Sequence, residues 1–142
     1  MLAIGVFIVG ASVLFALRSA PRSGRSEEAA KRVRPALEMA LRAKGLRWGT
    51  PVYIRIFKEE KQLELWVDEG KQFELFKTWP ICKFSGELGP KLKEGDGQAP
   101  EGFYFVPHSR MNPHSRFHLS FNLGYPNTYD RAHDRTGSAL MV

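Results

Sequence analysis

From Pro51 onward the apolar residues fall at every second position. Val52, Ile54 and Ile56 alternate with Tyr53, Arg55 and Phe57, and Leu63, Leu65 and Val67 alternate with Gln62, Glu64 and Trp66. A period of two sends one set to each face of an extended strand, so this stretch is committed to a sheet with one face covered. Asp68, Glu69 and Gly70 give a turn signal before Phe73 and Leu75 resume the theme, which predicts a hairpin. Residues 102–106, 117–122 and 138–142 are further strand candidates, separated by long Gly- and Pro-containing connections at 85–100 and 107–116. Connections of that length in a small domain are usually functional or disordered. Trp79, Phe84, Tyr125 and Tyr129 suggest ordered loops around a cleft.

Ahead of Pro51 the spacing is helical, with Ala29, Val33, Leu37 and Leu41 on one face. Pro35 suits a first helical position and Gly45 a stop, so a short amphipathic helix is expected from Pro35 to Lys44 with a basic outer face of Arg34, Arg42 and Lys44. Residues 20–34 then read as a linker and the start of that helix, and residues 35–142 as one domain. Residues 1–17 carry no charge, while Arg18, Arg22 and Arg25 follow them. A run of this length sits at the lower edge of a membrane span and above the usual signal-peptide core. Residues 1–19 are therefore expected to be a hydrophobic signal-anchor or signal segment. The anchor is favoured because no basic residue precedes the run and cleavage after Ala20 would put Arg18 where a small residue is wanted. The fold class expected is mainly β with N-terminal helices: a membrane helix, a short amphipathic helix, then the β domain.

The net charge of +6 suits an anionic partner, whether nucleic acid, anionic lipid or an acidic wall polymer. Nucleic acid is not expected behind an N-terminal anchor, although Arg110, Arg116, Phe117 and Phe121 interleave basic and aromatic groups. One cysteine, Cys82, leaves no possibility of an intramolecular disulfide. It follows Pro80-Ile81 at a strand end and is expected as a small buried hydrophobe, not a nucleophile. His108, His114 and His118 crowd one segment, but Pro113 and the alternation after it favour a loop over the helix that an i, i+4 metal pair needs, so no metal and no cofactor is expected. The Gly-rich stretch at 85–102 lacks the spacing of a phosphate-binding loop.

Three segments carry a resemblance. ICKFSGELGPKLKEGDGQAPEGFY at 81–104 resembles the L,D-transpeptidase catalytic-domain family (YkuD-type), in its YafK-like branch, with GDGQAPEGFY similar to the family's Pro-x-Gly-Tyr/Phe loop-to-strand motif. SFNLGYPNTYDRAHDRTGSALMV at 120–142 resembles the segment leading into the active site, and PVYIRIFKEEKQLELWV at 51–67 the opening strands. The resemblance implies an L,D-transpeptidase-type β-sandwich or barrel, incomplete here. It implies cysteine acyl transfer on peptidoglycan stem peptides in cell-wall biogenesis or remodelling, and a cell-envelope location, membrane-anchored or periplasmic. It also implies a catalytic His and Cys in a His-Gly and a Ser-x-Gly-Cys, neither of which occurs in these 142 residues. No catalytic residue is therefore assigned, since both would lie after Val142. The chain is expected to be C-terminally truncated and inactive alone, with Leu140 and Met141 lacking a partner and cooperative folding in doubt. Asn122, Tyr125 and Arg135 are the expected substrate-groove residues. The alternatives are a non-catalytic peptidoglycan-binding remnant, an amidase or hydrolase on peptidoglycan-linked peptides, and a zinc hydrolase using the three histidines. Oligomeric state is left open.

Overall fold

A computed structural model describes residues 20–142. The expected signal or anchor segment at 1–19 lies outside the described residues. Among the described residues, no helix is long and apolar enough to cross a membrane.

The first helix, α1, spans Gly24–Ala43 and begins well before Pro35. Its start is fixed by Ser23, whose side chain accepts from the Ser26 N–H while Ser26 Oγ receives the Ser23 N–H, a reciprocal capping box. Pro35 stays inside the helix at the loss of one backbone bond, a penalty of about 3 kcal/mol. The cap, the helix-forming run before the proline and the Arg34–Glu38 pair at 2.7 Å favour continuing through it. The far end matches expectation. Gly45 takes φ 75° and its N–H bonds to the Arg42 carbonyl, while the Leu46 N–H reaches back to Leu41. This 6→1 and 5→2 pattern brings Leu46 onto Leu41. Both are buried and form the main core with Val67 and Phe76, flanked by Leu37, Leu65 and Trp79.

The sheet facing α1 is an antiparallel meander of β1 (Val52–Phe57), β2 (Gln62–Asp68) and β3 (Phe73–Pro80). The β2–β3 hairpin turns at Gly70, φ 91°, whose N–H is taken by Asp68 Oδ1 at 2.6 Å. A bulge between Leu65 and Trp66 offsets the β3 register, and Phe76 of β3 is buried in the core. Tyr53, Arg55 and Trp66 lie on the other face, where Arg55 sits 5.5 Å from the Trp66 ring. Trp79, expected beside a loop, is part of β3.

The second half departs further from expectation. β4 (Met111–Asn112) and β5 (Ser120–Phe121) form a two-stranded antiparallel sheet, with a 3₁₀ turn at His108–Arg110 before it and a short helix, α2 (Thr128–Ala132), after it. The strand expected at 117–122 is thus cut to two residues, and 138–142 contributes a single bridge, Asn122 to Met141. Residues 102–106 form no strand. Their in–out alternation survives, with Phe103 and Phe105 over 80% exposed and Tyr104 turned inward, but no described segment pairs with them, and a strand exists only through its ladder. Leu140 and its neighbours do have a partner. Phe121 and Val142 exchange both backbone bonds at 2.9 Å, and the Leu123 N–H reaches the Leu140 carbonyl at 2.9 Å. The described residues form a mixed structure with as much helix as strand and no closed barrel, which corrects the mainly-β expectation.

Leu46→Ala is expected to destabilise the protein by about 2–5 kcal/mol through the cavity it opens under α1. Gly45→Ala, which meets no neighbour but must hold a left-handed backbone, is expected to lose about 1–2 kcal/mol. Urea denaturation of both variants checks the order.

Candidate functional site around Asp130

The long loop from Ser85 to Glu101 folds on internal acceptors. Lys58, at the end of β1, donates Nζ to the carbonyls of Gly89 (2.6 Å) and Ala99 (2.8 Å) and pairs with Glu101 at 3.0 Å. Asp96 occupies the loop's centre. Its carboxylate takes Lys91 Nζ at 2.6 Å and the N–H groups of Leu92, Lys93 and Gln98. The Lys91 bond, then that from Lys93, holds the Asp96 carboxyl well below the usual carboxylate range. The N–H groups of Leu92, Lys93 and Gln98 in this Gly-rich stretch are therefore already taken by the protein's own carboxylate.

Asp130 anchors the other side of the cluster. Asn127 caps α2 by accepting the Asp130 N–H at 2.8 Å, and Asp130 Oδ2 returns the favour by accepting the Asn127 N–H at 3.0 Å. The same Oδ2 accepts the Tyr104 hydroxyl at 3.0 Å, and Oδ1 accepts Arg135 Nη1 at 2.9 Å. Asp130 is 1% exposed, so these three donors and the opposite charge of Arg135 are what make its burial tolerable. Burial, then the hydrogen bond to Asp130, pushes the Tyr104 hydroxyl far above the ordinary tyrosine range. Burial, then the Asp130 charge, raises Tyr125.

The two clusters meet through Tyr125, whose hydroxyl donates to the Lys91 carbonyl at 3.0 Å. Beyond Arg135 the chain is held to the loop: the Thr136 N–H bonds to the Leu92 carbonyl and Thr136 Oγ1 accepts the Glu94 N–H. Gly137 passes so close that a Cβ there would lie 2.6 Å from Lys91 Cε. Beside this core lies a cleft of about 250 Å³ lined by Tyr104, Arg110, Gly124, Asn127 and Arg131, among others. Arg110 Nη1 donates to the Leu123 carbonyl at 2.9 Å, and Arg131 is tied to the Pro126 carbonyl.

None of the three residues expected from the sequence to form a groove, Asn122, Tyr125 and Arg135, lines this cleft itself. Tyr125 is buried and Arg135 is paired to Asp130. Asn122 Oδ1 accepts the Gly124 N–H at 2.8 Å, shaping the turn beside the cleft. Tyr129 is exposed and stacks on His133 at 4.1 Å. Cys82 is exposed, contrary to the buried position expected for it, because β3 ends at Pro80 and the chain leaves the core there. Among the described residues, no three His, Cys, Asp or Glu side chains are placed to share a metal. Sequence reasoning missed Lys58, Lys91, Asp96 and Asp130. Only Asp130 had a readable signal, the Asn-x-x-Asp spacing of a capping box at 127–130.

Asp130→Ala is expected to lose about 3–5 kcal/mol, because it strands Arg135 and Tyr104 inside the protein. The raised tyrosines stabilise the fold while protonated, so stability should be intact below their unfolded pKa near 10 and fall as pH rises above it. Asp96 acts in the opposite sense: its contribution is present above about pH 4 and is lost on acidification. Urea midpoints across pH check both limbs, and Tyr104→Phe should shrink the alkaline loss.

Against known proteins, no family model matches the chain. Two curated relatives do. The chain is 51% identical over 94 residues to a protein named "Putative L,D-transpeptidase YafK" from Escherichia coli strain K12, and equally to its namesake from E. coli O157:H7. The match takes in 66% of this chain, which spans 38% of the length of each relative.

Proposed function

We propose that this chain, similar over 94 residues to the YafK-like L,D-transpeptidases, works on peptidoglycan stem peptides in the cell envelope, as a groove-forming part of an acyl-transfer domain. The observation that carries this reading is the 51% identity itself. The polar cluster around Asp130 supports it, because a network of that kind fixes loop backbone next to a cleft in one arrangement. The stem peptide lies in the cleft beside Gly124, where Arg110 and Arg131 present positive charge to its carboxylates. Asn122, Tyr125 and Arg135 keep that wall in shape. The acyl acceptor is an amine or water.

The chemistry of thioester exchange needs a thiolate, a proton carrier and oxyanion donors. These 142 residues contain neither a His-Gly nor a Ser-x-Gly-Cys, and their single cysteine, Cys82, stands exposed just past β3. The polypeptide by itself thus binds stem peptides and leaves them unchanged.

Purified chain mixed with isolated sacculi should co-sediment, and mass spectrometry of muropeptides incubated with it should reveal no new cross-link and no loss of the terminal D-residue. Arg110→Ala with Arg131→Ala should weaken the co-sedimentation. Turnover abolished by Cys82→Ser would overturn the assignment, and absence of sacculus binding would remove the groove.

A further inference from the structure

The start of α1 is tied to the loop between β4 and β5. Ser23 Oγ donates to the Pro113 carbonyl at 2.9 Å, and Arg25 Nη1 donates to the carbonyls of Ser115 (2.6 Å) and His118 (3.0 Å). Inside the loop, Ser115 is buried and its Oγ accepts the Phe117 N–H at 3.1 Å, while His118 is held in the left-handed region at φ 87°. This ordered loop puts Phe117 into solvent. At 86% exposure it exceeds every other exposed large hydrophobic of the described residues, and the Arg116 guanidinium stands 5.9 Å from its ring.

The surroundings are cationic. Arg22, Arg25 and Arg116 have no carboxylate partner among the described residues; the acidic residues nearest in sequence to the first two are Glu27 and Glu28 in the first turns of α1, and Arg116 has none within ten residues. Covalent geometry then ties the patch to the uncharged run at 1–17. Leu17 is six residues from Ser23, at most about 22 Å along a fully extended chain. Wherever that apolar sequence meets a bilayer, the Phe117 loop is within reach of the same surface.

We propose that residues 114–119, with Arg22 and Arg25, are a bilayer-contact loop: Phe117 enters the boundary between headgroups and acyl chains while the arginines face anionic headgroups. A soluble polyanion would engage the arginines and leave the aromatic tip unused, which is why the occupant is a lipid surface. This inference stands apart from the stem-peptide reading and survives its failure.

The test uses the full chain reconstituted with vesicles, with Cys82→Ser throughout and one labelled cysteine at a time. Phe117→Cys carries an environment-sensitive fluorophore, and Lys71→Cys carries the same label in the β2–β3 turn. That turn follows Val67, which packs on Leu41, and Leu41 is 18 residues from Ser23, about 27 Å along the helix. With phosphatidylglycerol vesicles, quenching of the 117 label by aqueous iodide should fall about threefold while the 71 label is unchanged. Arg22→Ala with Arg116→Ala, or phosphatidylcholine alone, should reverse most of that protection. Equal quenching at 117 and 71 would overturn the proposal. So would the same protection with polyglutamate and no lipid, which would assign the patch to a soluble polyanion, or protection that grows with protein concentration in buffer, which would assign it to a second copy.

Discussion

Burying a carboxylate is tolerable only when its lone pairs and its charge are met, and in this protein one such group organises the whole C-terminal half. Asp130 receives the Asn127 N–H, the Tyr104 hydroxyl and the Arg135 guanidinium, so the two neighbours flanking α2 and the distant Tyr104 converge on two oxygens. Its backbone joins in, since the Arg135 N–H bonds to the Asp130 carbonyl at 2.9 Å. From that fixed point the chain runs past Thr136 and Gly137, both held against the Lys91–Glu94 stretch, and arrives in register beside Phe121 and Leu123. A hydrophobic core of ordinary size is absent from this half; Tyr125 is its buried apolar residue. Polar closure does there what side-chain packing does under α1.

The α1 and sheet half rests on different physics. Leu41, Leu46, Val67 and Phe76 bury apolar surface, and the helix stop at Gly45 aims Leu46 into them. Side chains reaching into loops join the halves, Arg25 among them through the Ser115 and His118 carbonyls. Lys58 reaches from the end of β1 into the Gly89 and Ala99 carbonyls, and the cap of α1 reaches the Pro113 carbonyl. Both are hydrogen bonds from side chains to loop carbonyls, which satisfy backbone groups that no sheet ladder covers. The envelope function proposed for the chain draws on this division: the rigid meander carries the loops, and the loops carry the groove.

Much of the first half was legible in the sequence because it obeys local rules. Alternation at 52–57 and 62–67 gave both strands, Asp68 to Gly70 gave the hairpin, and Gly45 gave the helix stop. The helix start was misplaced because Pro35 carries a strong local signal, whereas Ser23 acts through a cap whose value depends partly on the distant Pro113 carbonyl. Strand length in the second half was overread at 102–106 and 117–122, since alternation specifies faces but pairing depends on a neighbour. Of the polar clusters, Asp130 had a legible helix-cap spacing, whereas its burial and the roles of Lys91 and Asp96 were invisible. Charged residues in a loop look solvated until the fold closes around them.

Asp130 holds residues 135–142 in place independently of the α1 core. Amide hydrogen exchange at Phe121, Leu123 and Val142, compared with Trp66 and Val67 in β2, tests it most directly in the wild-type chain and in Asp130→Asn. The first group should lose its protection in the variant while β2 keeps its own. Unchanged protection at Leu123 and Val142 would contradict it, as would a loss shared equally with β2.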